Sequence, residues 1–261
     1  MQIPTVPAET PTRARVSVGQ PEVEHRFRVD WLQAQAFLGC VSRRLSADVF
    51  DPERPVSYLL TTYFDTEDHR LFESTGTVGR ARIRLRQYAS AIAGEGAAEL
   101  TSLSAFEVKL SIFESRRIAR VVDPPDAMEE LLQGGGWRRD ANLGDVRALK
   151  RAARAVASGE LRPVLTTYFR RLSRSAPGIR VTLDDEIAFA RPVPIGAPGQ
   201  PAVPPAVFRR IPQLVLEVKL SAAPPTWLVD AMRLVRLTGD SKFHDGMVTA
   251  QRMLKSDARA A

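Results

Sequence analysis

Residues 59–66 read LLTTYFDT and residues 164–171 read VLTTYFRR; each is followed by a near-identical segment, FEVKLS at 106–111 and LEVKLS at 216–221. Val, Thr, Tyr and Phe fit a pleated, half-buried surface, so all four segments are predicted as strands. The interval from Thr61 to Glu107 is 46 residues and that from Thr166 to Glu217 is 51, so order and approximate spacing are both kept. Each half then holds a TTYF strand, a basic strand and an E-x-K-L-S strand. Two such halves closing on each other predict a barrel with approximate two-fold symmetry.

Working outward, the neighbouring segments divide by strand parity, because successive side chains point to opposite faces. In 22–29, Glu22, Glu24, Arg26 and Arg28 share one face and Val23, His25, Phe27 and Val29 the other. Arg80, Arg82, Arg84 and Arg86 line up opposite Ala81, Ile83 and Leu85. Glu107 and Lys109 oppose Phe106 and Val108, and Glu217 and Lys219 oppose Leu216 and Val218. Arg180, Thr182 and Asp184 oppose Val181 and Leu183, while Tyr168 and Arg170 share a face. A solvated face normally mixes charge signs, but these faces carry mainly Arg and Lys. Turned inward, two cations about 7 Å apart at an effective dielectric near 20 would repel by about 2.4 kcal/mol. A bound polyanion removes that strain, since phosphate oxygens accept bidentate arginine hydrogen bonds and lysine point contacts.

The carboxylates on the same face, Glu24, Glu107 and Glu217, would repel phosphate unless a metal lies between. Oxygen-only ligands suit Mg²⁺ or Mn²⁺, which bridge carboxylate and phosphate oxygens and keep several waters. The alternative, in which each glutamate is a structural ion pair with a neighbouring Lys or Arg, stays open, more so for Glu107 than for Glu217.

At 261 residues and 44% hydrophobic content the chain can bury a substantial core, which excludes a disordered polymer. The net charge of +7 favours anionic partners without choosing among them. Of 37 basic residues only five are lysine, and three of these, Lys109, Lys219 and Lys242, fall inside the motifs. No stretch reaches the length of a membrane span and residues 1–20 lack a signal-peptide core, so a cytoplasmic location is expected. The single Cys40 excludes an internal disulfide and reads as a small buried apolar residue. Helical periodicity appears at 30–46, 125–133, 143–158 and 226–238, whereas 89–104 and 191–213 read as loops. Residues 1–20 and 256–261 are expected to be tails around a single domain at 21–255. His25, His69 and His244 give no sign of a catalytic base.

Taken in order, E-V-E-H-R (22–26), Y-F-D-T (63–66), I-R-L-R-Q-Y (83–88), E-V-K (107–109), R-P-V-L-T-T-Y-F-R-R (162–171), I-R-V-T-L-D (179–184), L-E-V-K-L (216–220) and S-K-F (241–243) resemble the VTC-domain polyphosphate polymerases. These belong to the CYTH-like triphosphate tunnel metalloenzymes. The resemblance implies an α+β fold, a closed antiparallel β-barrel tunnel of about eight strands with helices packed outside. It implies phosphate ligands at Arg26, Arg84, Arg86, Lys109, Arg170, Arg180, Lys219 and Lys242, with Tyr168 as a hydrogen-bond donor and Glu217 as a metal ligand. Arg117 is a further basic candidate; Arg116 competes with it, and parity does not choose. The first motif ends in Arg26 where many tunnel enzymes have lysine. The sensing domain and membrane helices of the eukaryotic polymerases have no counterpart in this sequence, so coupling to translocation would need a separate membrane partner.

The implied activity is a metal-dependent phosphotransfer, moving the γ-phosphate of a nucleoside triphosphate such as ATP onto a polyphosphate chain. Arg84, Arg86, Lys109, Lys219 and Glu217 would form the catalytic group, acting through alignment and charge neutralisation. Two alternatives remain: a tunnel triphosphatase hydrolysing tripolyphosphate or an organic triphosphate, and a non-catalytic polyphosphate-binding module. Nucleic acid is not expected as a partner, because stacking aromatics do not interleave with the basic faces.

Overall fold

The computed structural model describes residues 15–18, 23–73, 80–94, 96–112, 115–135, 143–204, 206–236 and 242–260. The described strands are β1 (Arg15–Val18), β2 (Val23–Val29), β3 (Ser46–Ala47), β4 (Val56–Asp65), β5 (Arg80–Ala91), β6 (Glu99–Ile112), β7 (Ser115–Asp123), β8 (Arg162–Ala176), β9 (Ile179–Ala190), β10 (Val207–Arg210) and β11 (Leu214–Leu220). The helices are α1 (Trp31–Val41), α2 (Arg70–Glu73), α3 (Pro125–Leu132), α4 (Leu143–Ala157), α5 (Thr226–Met232) and α6 (Lys242–Ala260). All strands join one antiparallel sheet in the order β1-β7-β6-β5-β4-β8-β9-β11-β2, with β10 beside β9 and β3 beside β8.

The α+β class holds, but the sheet is not a closed barrel. Its path ends at β1 and β2, and no hydrogen-bonded ladder joins the two ends among the described residues. One physical reason lies in β7, whose two edges are already taken by β6 and β1. Register shifts in the pairings of β4 with β8, β5 with β6 and β8 with β9 mark bulges, which raise local twist and bend the strands. The sheet therefore curls until its two sides meet through side chains, as in the 3.3 Å contact of Lys109 Nζ on β6 with Glu24 Oε2 on β2.

Several local expectations are corrected. The stretch 89–104 is not a single loop: β5 continues to Ala91 and β6 starts at Glu99, because Ala89 and Ser90 pair with Leu100 and Glu99. α1 starts where predicted, fixed by a capping box in which Gln33 N donates to Asp30 Oδ1 (2.8 Å) and Asp30 N donates to Gln33 Oε1 (3.0 Å). α5 ends at Met232, well short of 238. Cys40 is exposed, on the solvent side of α1. Within the stretch expected to be an N-terminal tail, residues 15–18 pair with β7; the remainder of 1–20 lies outside the described residues. At the other end, α6 carries its helical backbone to Ala260.

Three of the four apolar clusters among the described residues seat helices on the sheet. α1 and α5 cover the outer face of β2, β9 and β11 through Phe37, Leu228, Phe27 and Leu216. α3 and α4 cover β5, β6 and β7 through Met128, Leu149, Phe106 and Val121. The third cluster lies on the opposite, inward side, where Phe243 and Met247 of α6 pack on Tyr63, Leu165, Phe169 and Phe189. Four of the helices thus pack outside as expected, but α6 lies against the concave face. Gly246 permits that approach, since a Cβ there would come within 2.6 Å of Leu165 Cδ2. The concave face is consequently divided, apolar under α6 and charged beyond it.

Candidate functional site

The charged part of the concave face forms a cavity of about 90 Å³. β2, β4, β5, β6, β7, β8, β9, β11 and α6 all contribute to its wall, so strands from both ends of the sheet converge on one space. Ten basic side chains line it among the described residues: Arg26, Arg82, Arg84, Arg86, Lys109, Arg120, Arg171, Arg180, Lys219 and Lys242. Only two carboxylates do, Glu24 and Glu217. The register explains the convergence: Glu217 lies between Arg26 and Thr182, Lys219 between Glu24 and Arg180, and Arg84 between Tyr63 and Glu107.

Four carboxylates organise these cations, and they do so differently. Glu107 is completely buried, and each of its oxygens takes an arginine: Arg84 Nε at 2.5 Å and Arg120 Nε at 2.5 Å. Burial alone would raise its pKa, but Arg84, Arg86 and Arg120 hold it well below the usual carboxylate range. Asp184, also fully buried, takes a bidentate pair from Arg171 at 2.6 and 2.7 Å and a further hydrogen bond from the Lys242 ammonium. Glu24 accepts from Arg26 (2.6 Å) and Lys109 (3.3 Å). Burial and the charge of Glu217 push the Glu24 pKa up, yet Lys109, Arg26 and Lys219 bring it down to about 2. Glu217 has looser company, with Lys242 at 3.2 Å, Arg26 at 3.6 Å and Arg171 at 3.9 Å. Against burial, these cations and Lys219 hold it far below its ordinary value.

The cationic side is under electrostatic load. Burial lowers the Arg82 and Arg86 pKa values, and neighbouring arginines add to the fall. Lys109 drops to about 8, chiefly through burial, with Glu24 opposing. Arg86 Nε and the hydroxyls of Thr61, Thr167 and Thr182 are buried without a hydrogen-bond partner. Thr61 is paired in register with both Arg86 and Thr167, so these polar atoms cluster. Buried polar groups in folded proteins are nearly always satisfied, so such a group points to something that completes it.

Most of the sequence-derived site residues meet here. Arg26, Arg84, Arg86, Lys109, Arg180, Lys219, Lys242, Glu24 and Glu217 line the cavity. Glu107 does not; it is sealed behind Arg84 and Arg120 and has no oxygen free for a metal. Tyr168 and Arg170 do share a face, but it is the outer one. Tyr168 stacks on Tyr58 at 5.5 Å, and Arg170 pairs with Asp185 at 2.8 Å and Glu186 at 3.1 Å. Their neighbours Phe169 and Arg171 point inward instead. Arg117 is opposite Leu110 and Arg116 opposite Ser111 in the β6–β7 register; the side chains of both lie outside the described residues.

Sequence reasoning missed Arg171, Arg120 and Tyr63, and it saw Arg82 on the basic face without selecting it. For Arg171 the only local signal was its adjacency to Arg170. Arg170 entered through the resemblance, and polarity does not mark the inside of β8, because α6 makes the part of the concave face around Phe169 apolar.

A family model described as the VTC domain matches residues 22–250. No curated protein matches the sequence. Among solved structures, the chain is similar to a candidate adenylate cyclase of Bacillus halodurans (14% identity, TM-score 0.43, covering 90% of this chain and 88% of that one). It is also similar to a candidate adenylate cyclase of Vibrio parahaemolyticus (15% identity, TM-score 0.42, 83% and 85% coverage). A third likeness is the PH1012 protein of Pyrococcus horikoshii (13% identity, TM-score 0.39, 84% and 92% coverage). No helix among the described residues is long and apolar enough to cross a membrane.

Proposed function

The chain belongs to the VTC domain family, and on that premise we propose that its basic cavity holds the triphosphate of a nucleoside triphosphate beside the end of a polyphosphate chain. Transfer of the γ-phosphoryl group from the first to the second is the proposed reaction. The observation that carries this reading is the excess of ten cations over two carboxylates around one cavity, with buried donors left unpaired. Such an arrangement is strained when empty and is relieved by an extended polyanion.

Arg26, Arg84, Arg86, Lys109, Arg180, Lys219 and Lys242 are the proposed phosphate ligands, and Arg171 replaces Arg170 in that role. Arg84, Arg86, Lys109 and Lys219 neutralise charge on the transferring group, and Glu107 and Asp184 behind them keep the cations aimed. The acceptor is itself an anionic phosphate oxygen, so no general base is required.

Glu217 and Glu24 are the residues that would hold a divalent metal. They fit a hard cation: both are held ionised, both are oxygen donors, and the charge of Glu217 pushes the Glu24 pKa up, a repulsion that a shared cation cancels. No cluster of three or more acidic, His or Cys ligands occurs among the described residues, so phosphate oxygens and water would complete the shell. A bound Mg²⁺ or Mn²⁺ would supply charge neutralisation between carboxylate and phosphate.

The test is incubation of the purified protein with ATP and Mn²⁺, following polyphosphate on a gel together with free phosphate. Chains that lengthen with time and vanish on chelation are expected. Free phosphate without chains would replace the transferase by a triphosphatase, and neither product would leave a binding module.

A further inference from the structure

A second cavity, of about 220 Å³, opens farther along α6 and shares no lining residue with the first. Ala250 and Met253 line it, whereas Lys242 of the same helix lines the basic cavity; eight residues of helix separate Lys242 from Ala250 by about 12 Å. Its polar residues are His69, Arg162 and Arg191, and no carboxylate lines it among the described residues. Its remaining wall is apolar, from Val164, Phe208 and Met253 among others.

His69 is the unusual member. Its side chain belongs to a residue only 8% exposed, and its ring Nδ1 is buried without a partner. It also holds a left-handed backbone, φ 57°, that residues with a Cβ seldom adopt. The local structure enforces this: Asp65 accepts hydrogen bonds from the backbone N–H of Leu71 (2.9 Å) and Phe72 (3.0 Å), and His69 N donates to Thr66 O (3.0 Å). The fold thus keeps an incompletely hydrogen-bonded histidine in a left-handed turn, against an apolar recess with a basic rim. Arg162 on that rim is engaged with Glu67 at 3.0 Å, but the pair is solvent-exposed and weak enough for a ligand anion to compete with Glu67.

We propose that this recess is a second binding site, for a small organic anion with an apolar body, its charge met by Arg162 and Arg191 and its polar edge by His69. Apolar walls with a few convergent polar groups are the usual construction of a small-molecule site. The proposal does not depend on what the basic cavity binds.

The probe is 4-(trifluoromethyl)benzoate, titrated into the full chain and read by ¹⁹F line width, with excess tripolyphosphate present to occupy the basic cavity. A ligand of about a dozen heavy atoms should saturate with a Kd of about 1 mM. The neutral 4-(trifluoromethyl)benzamide and inorganic phosphate, tested in competition, should each bind about tenfold more weakly or worse. His69→Asn retains a residue that tolerates the left-handed backbone, and Val164→Trp fills the recess; each, checked for folding by circular dichroism, should weaken the benzoate about tenfold. The proposal is overturned if no saturable binding is seen. It is also overturned if the amide or phosphate matches the benzoate, or if a folded variant binds it as the parent does.

Discussion

β6 and β11 carry the same E-V-K-L-S signature and both aim its glutamate at the concave face, yet the two glutamates lead different lives. Glu107 has no exposed side-chain surface and two arginines at hydrogen-bond distance. The side chain of Glu217 is 14% exposed, lines the cavity, and has its cations at 3.2 to 3.9 Å. Position in the sheet makes the difference. β6 has β5 and β7 as neighbours, and both place an arginine beside Glu107; β11 has β9 and β2, which place Thr182 and Arg26 beside Glu217. A carboxylate flanked by two arginines becomes part of the frame, whereas one flanked by a threonine and a single arginine stays available to a ligand.

Breaking the frame should have the largest effect. Glu107→Gln leaves Arg84 and Arg120, both partly buried, without their counter-charge, and the loss should approach about 3–5 kcal/mol, the value typical of breaking a buried ion pair. Urea unfolding should show that loss, whereas Glu217→Gln should cost less, because its cations stand at 3.2 to 3.9 Å and the repulsion from Glu24 is removed with it. Equal destabilisation by the two variants would erase the distinction. In turnover the order reverses: Glu217→Gln should lower kcat by about 100-fold or more, the scale of losing a preorganised electrostatic contact, while polyphosphate affinity is kept. A Glu217→Gln enzyme with ordinary kcat would remove Glu217 from the chemistry.

A smaller effect sharpens the same contrast on β8. Arg171 is directed inward by Asp184, and Arg170 is held outside by Asp185 and Glu186. Arg171→Ala should reduce tripolyphosphate affinity about tenfold or more by calorimetry, the value of one charged hydrogen bond, and Arg170→Ala should leave it nearly unchanged. The opposite result would restore the assignment suggested by the sequence.

That assignment shows where sequence reading stops. Strand parity found the inward faces of β2, β5, β6, β9 and β11, because there the outer residues are aliphatic and the inner ones charged. It failed on β8, where the inner face changes from Leu165 and Phe169 under α6 to Arg171 beyond it, so no single polarity marks the inside. The TTYF repeat misleads for a related reason. β4 and β8 pair with Thr62 opposite Thr166, joined by a buried hydroxyl contact of 2.9 Å, and Tyr63 points in while its counterpart Tyr168 points out. Only the E-V-K-L-S pair repeats with its faces preserved. Barrel closure was unreadable because it turns on β1 occupying the edge of β7, a pairing within a segment that has no periodicity. His69 carried no signal in its neighbourhood; its burial follows from the Asp65-centred turn and the packing of α6.

The smallest expected effect is on acid stability, and its sign follows from the ionised state of Glu107. Its folded-state pKa lies well below the ordinary 4.5, so below that value the unfolded chain takes up a proton that the native chain does not. The stabilisation is fully present above pH 4.5 and is lost as the pH falls toward the folded value, at up to about 1.4 kcal/mol per pH unit. Glu24 and Glu217 add contributions of the same sign. Glu107→Gln should therefore show not only lower stability but a shallower dependence on pH between about 4 and 3, by about that slope. Unfolding free energies measured across this interval decide the matter. An unchanged slope would mean that Glu107 is protonated in the native protein, and that its two arginines are not held by charge.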